Sequence, residues 1–142
     1  MTANASTPFW HTPAILVGRL IFAAIFVMAA VFKFLGMADT ANFIAAAGFP
    51  IPLLLAWLAA LFESALAICL LTGAFFSEAA LLAAAYVLFL AFAFHGPSHW
   101  PGNQAEFGFF VDHFTFIAGL LFAAVKGPGR TLALRHGIIA RD

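Results

Sequence analysis

The chain has 142 residues, 65% of them hydrophobic and only 8% charged, against about 45–50% and 25% in soluble domains. Its formal net charge is zero, which lacks the basic footprint of a nucleic-acid binder. One cysteine, Cys69, excludes an internal disulfide, a CxxC redox pair and a CxxCH haem site. The expectation is one integral membrane domain over 1–142, with no haem, nucleotide or iron–sulfur cluster.

The first predicted span runs over 14–35, behind Pro8 and Pro13, and carries Arg19 and Lys33. Its apolar run exceeds a signal-peptide core and lacks an A-x-A cleavage site, so it reads as a retained span. Gly36 closes it, and Asp39 stands as the N-cap of a short segment, 40–47. That segment is too short to span and reads as an interfacial helix with Phe43 and Ile44 toward lipid. The second span, 51–71, follows Pro50 and Pro52 and ends at Thr72-Gly73. It holds Glu63 near its middle, where an unpaired acid is costly.

A tight turn, 72–77, leads to the third span, 78–94, with Ser77 and Glu78 suited to a helix N-terminus. The loop 95–104 holds two prolines and two glycines, which exclude a helix. The fourth span, 105–125, is followed by a basic tail, 126–142, with Lys126, Arg130, Arg135 and Arg141. The fold expected is therefore all-α, an antiparallel four-helix membrane bundle with a short interfacial helix between spans one and two. The opposite loops lack lysine and arginine, so the positive-inside rule places both termini in the cytoplasm. Trp10 and Trp100 suit interfacial belts, whereas Trp57 sits deeper.

Rise per residue converts position to depth. Arg19 lies about 24 Å, Glu63 about 18 Å and Lys33 about 3 Å from the outer ends of their spans. An Arg19–Glu63 ion pair follows, either as a device that fixes helix register or as part of a substrate or proton site. A second polar group forms at the outer rim. His95 and His99 flank Gly96-Pro97, Glu106, Asp112 and His113 open span four, and Lys33 snorkels toward Asp112. Trp100 and several phenylalanines surround them. Three readings compete: a quinone headgroup pocket built on His113, Asp112, Lys33, Trp100 and His95, a metal site of His95, His99 and His113, or solvated loop side chains. The His-x-x-x-His spacing is broken by Gly96-Pro97, so no metal is assigned. Ala29-Ala30, Ala59-Ala60, 83–85 and Ala118-Gly119 read as close-packing positions.

Three stretches carry a family likeness. They are Arg19-Leu20-Ile21-Phe22 with Phe32-Lys33-Phe34, then Ala47-Gly48-Phe49-Pro50 leading to Leu58-Ala59-Ala60-Leu61-Phe62-Glu63 and Leu71-Thr72-Gly73, and last Ala118-Gly119-Leu120-Leu121 with Gly127-Pro128-Gly129. In order and spacing they resemble the DoxX family of small four-helix bacterial membrane proteins. The resemblance implies that Arg19, Lys33 and Glu63 are family-type polar positions. It also implies association with thiosulfate:quinone oxidoreductase or with membrane complexes that handle thiols and oxidative stress. His113 after Asp112 departs from an asparagine often found early in the fourth span. The expected function is an accessory or quinone-interacting subunit of a membrane oxidoreductase system, with other membrane or redox proteins as partners. The alternatives are a non-catalytic anchor or assembly subunit of a larger complex, and a small-solute carrier.

Overall fold

The structure, a computed structural model, describes residues 8–139. Among them are five α-helices and no strand: α1 (His11–Leu35), α2 (Met37–Ala46), α3 (Pro52–Thr72), α4 (Phe76–His95) and α5 (Gln104–Lys126). All but α2 are long and apolar enough to cross a membrane. The protein is a four-helix membrane bundle in which α1 packs along α3 and α4 along α5. Arg141, part of the expected basic tail, lies outside the described residues.

Each boundary has a local cause. The Gly36 N–H bonds Phe32 at 2.9 Å to end α1, and Gly36 alone separates it from α2. Asp39 is therefore not the N-cap expected of it; it sits in the first turn of α2, where a carboxylate favours the helix dipole. Pro52 starts α3 without removing a needed donor. Gly73, at φ +79, ends it with its N–H on Cys69 O at 2.9 Å. The 95–104 loop, expected to be free of helix, holds one turn of 3-10 helix over Pro97–His99, since proline is tolerated in a first turn.

The core lies where α3, α4 and α5 meet α1. On α4, Ala79, Ala80, Ala83, Ala84 and Ala91 are all 4% exposed or less, so their backbone approaches its neighbours closely and dispersion replaces bulk. Leu66 and Leu70 of α3, Phe26 of α1 and Leu120 of α5 fill the remaining space. Of the alanines expected to pack closely, Ala30, Ala60, Ala83 and Ala84 are buried, while Ala85 and Ala118 face outward.

A smaller cluster joins α2 to α3. Ala41 and Ile44, one turn apart, press on Ala56. Ile44 is 7% exposed and so does not face lipid as expected. Phe43 does lie half exposed, with its ring stacked on Phe94 at 5.0 Å. Thus α2 is packed beside the start of α3, with one face taken up by the bundle.

At the end of the bundle carrying both termini, the segment after α5 folds back over the α3–α4 turn. Leu134 N–H bonds Thr72 O at 2.9 Å, Phe75 N–H bonds His136 O, and Glu78 accepts from the N–H groups of Ile138 and Ile139. The described part of the basic tail is thus also a structural cap.

Candidate functional site

Glu63 is 2% exposed and has two partners. Lys33 Nζ approaches its Oε2 at 2.8 Å, and the Tyr86 hydroxyl donates to its Oε1 at 2.8 Å. The three groups come from α1, α3 and α4, so one carboxylate ties three helices together. A buried anion with a cation and a hydroxyl donor avoids most of the desolvation cost that a lone acid would carry.

The expected Arg19–Glu63 pair does not form. Arg19, also 2% exposed, donates from Nη1 to Pro128 O at 3.0 Å and from Nη2 to Leu132 O at 2.6 Å. Two physical effects defeat the depth argument. Phe34 packs on Trp57 at 5.9 Å, so the last turn of α1 lies beside the second turn of α3 and not flush with its start. Side chains also lean toward their helix N-terminus. On antiparallel α1 and α3, Lys33 and Glu63 therefore lean toward each other, while Arg19 leans away to the termini end. For the same reason Lys33 does not snorkel to Asp112, which is exposed on α5.

Above this network lies a cavity of about 820 Å³. Its walls are mainly apolar: Phe32, Phe43, Ile44, Phe49, Leu58, Phe62, Phe89 and Phe94 among them. Lys33 and Tyr86 supply polar groups from one side, Asp39 and Thr40 from α2, His95 from the last residue of α4 and His113 from the first half of α5. Phe32, Phe43 and Phe89 are each more than half exposed, which sets the mouth on the outward, lipid-facing surface of the bundle.

The two histidines are held in place. His95 Nδ1 lies 2.6 Å from Glu106 Oε2, and its backbone carbonyl receives Trp100 Nε1 at 2.9 Å. His113 Nδ1 lies 2.6 Å from Phe109 O, and the two imidazoles are 5.1 Å apart between centroids. Trp100 thus supports the site from behind, packed against Phe107 and Phe110.

Of the residues expected to build the pocket, the structure brings together Lys33, His95 and His113. It leaves Asp112 off the cavity, because α5 presents His113 inward and the adjacent position faces away. His99 meets only Ser98, at 3.3 Å. Among the described residues no three His, Cys, Asp or Glu side chains converge as a metal site. Sequence reasoning missed Tyr86. Its signal was rarity: the one tyrosine beside 19 phenylalanines marks where an aromatic span needs a hydroxyl.

No curated protein and no solved structure matches the chain. A family model, DoxX, matches residues 14–96, which take in all but the first three residues of α1 and the whole of α2 to α4, and therefore Lys33, Glu63, Tyr86 and His95, with Glu106 and His113 beyond it. With more than half of the sequence matched and four spanning helices in place, the chain belongs to the DoxX family.

Proposed function

We propose that the cavity receives a neutral, lipid-soluble ligand of the quinone type, and that the protein serves a membrane redox system as an accessory, ligand-holding subunit. The observation that carries this reading is charge balance inside an apolar chamber. Lys33 is neutralised by Glu63, and the remaining ionisable carboxyl groups, Asp39 in the lining and Glu106 on His95, are acidic. A fatty acid or other anion would meet no free cation there. A ligand with an apolar ring and tail and uncharged oxygen groups finds aromatic walls, polar groups and a lateral entrance.

Lys33, Tyr86, His95 and His113 would hold such a headgroup, with Phe43, Phe49, Phe89 and Phe94 around its ring. A quinone bound there supplies two-electron, two-proton chemistry, with electrons exchanged through partner proteins. The absence of lysine and arginine from the loops opposite the termini supports cytoplasmic termini in a bacterial inner membrane. The cavity's histidine end would then face away from the cytoplasm.

Protein extracted in mild detergent should carry a quinone that organic extraction and mass spectrometry detect. Ala59→Trp, which places an indole in the chamber from its α3 wall, should reduce that occupancy at least tenfold while helicity and elution volume stay unchanged. Absence of quinone, or equal retention by the variant, defeats the reading.

A further inference from the structure

The two histidines at the end of the cavity differ in one respect from a generic polar patch: the geometry dictates which ring nitrogen carries the proton. Phe109 O, 2.6 Å from His113 Nδ1, is a carbonyl and can only accept, so His113 Nδ1 must donate. Glu106, as a carboxylate, likewise accepts from His95 Nδ1 at 2.6 Å. A neutral imidazole protonated at Nδ1 has a bare lone pair at Nε2. Both rings line the cavity, and in both the nitrogen left for a ligand is Nε2. With both imidazoles neutral, this end of the chamber therefore offers two acceptors.

A quinone carbonyl is also an acceptor. Set against these two rings, its oxygen faces lone pairs and gains nothing to replace the water it gave up. A hydroquinone hydroxyl donates. Resting on the quinone-type reading above, we propose that the His95–His113 end selects the reduced, hydroxyl-bearing form of the ligand, a hydroquinone, over the oxidised form. The Tyr86 hydroxyl proton is committed to Glu63, and Lys33 spends one of its three N–H donors on the same carboxylate, so the choice between redox forms is made at the histidine rings. A site built from hydrogen-bond acceptors discriminates against a ligand without the donor, because bound ligand shuts water from the half-buried acceptors and leaves them unpaired.

The experiment is equilibrium binding by calorimetry on the full chain in nanodiscs at pH 8, without oxygen. Three probes share one alkyl tail: a benzoquinone, the hydroquinone kept reduced, and the hydroquinone dimethyl ether. The expected order is the hydroquinone about tenfold tighter than the quinone, with the dimethyl ether as weak as the quinone. The double variant His95→Gln with His113→Gln, whose amides both donate and accept, should bind both redox forms within about twofold of each other. Equal affinities in the wild type, tighter quinone binding, or an ether that binds as well as the hydroquinone overturns the acceptor assignment while leaving a quinone-type ligand in place. Binding of none of the three overturns the underlying reading as well. The wild-type comparison decides even where the double variant fails to fold.

Discussion

Lys33→Met removes the cation from Glu63 and leaves the carboxylate at 2% exposure with only the Tyr86 hydroxyl. Breaking a buried ion pair from one side costs about 3–5 kcal/mol, because the survivor is a buried charge without its partner. Lys33 retains 23% exposure in its side chain, so the pair is not fully enclosed and the lower figure, about 3 kcal/mol, is expected. Glu63→Leu strands the ammonium instead, which can turn toward the cavity, and should cost slightly less. The double variant Lys33→Met with Glu63→Leu removes both charges. It leaves the Tyr86 hydroxyl buried without its acceptor, a loss of about 1–3 kcal/mol. Adding Tyr86→Phe removes that last orphan and should return stability to within about 1 kcal/mol of the wild type. The assay is reversible unfolding in mixed micelles followed by circular dichroism, with purified yield as a second readout. Additive losses in the Lys33–Glu63 double variant would refute the network. So would strong compensation between Arg19→Met and Glu63→Leu, which should instead add within about 0.5 kcal/mol, having no shared partner.

Gly73→Ala should destabilise by about 1–2 kcal/mol, since a left-handed φ of +79 is strained for alanine and its methyl would meet Ala133 Cβ at 2.9 Å; limited proteolysis of the C-terminal segment reads the loosened cap. Removing 128–142 should lower membrane-inserted protein several-fold by taking away both acceptors of Arg19, and Arg19→Leu should recover much of it on immunoblots of washed membranes. Gly119→Ala should cost about 1 kcal/mol or less, because the added methyl meets only the far end of the Phe22 ring at 2.9 Å, which can swing aside; the melting temperature in detergent checks this.

The spans were legible because long apolar runs bounded by Pro52, Gly36, Gly73 and Gly127 leave few other structures possible. Even the short α2 showed through, although which of Phe43 and Ile44 faces lipid depends on how α2 rolls against Ala56, a tertiary matter. The site was less legible. Lys33 and His95 were visible as polar groups near one end, but counting residues for depth treats helices as flush and side chains as level. The offset of α1 against α3 and the lean of Lys33 and Glu63 reversed that result. Arg19 eluded the same reasoning for another reason: its partners are backbone carbonyls, which carry no residue-type signature at all.

The distance along the chain between Arg19 and those carbonyls bears on how the protein is made. Pro128 and Leu132 lie 109 and 113 residues after it, so α1 emerges from the ribosome long before its guanidinium has anywhere to donate. Lys33 is answered earlier, once Glu63 has been translated. A nascent chain thus carries this buried cation unsatisfied until the segment from Pro128 to Leu132 is synthesised, and a product terminated before that segment keeps the defect permanently. In such a chain an unpaired charge in the first span offers membrane quality control a mark of incompleteness, which the segment after α5 erases when it folds back onto the bundle.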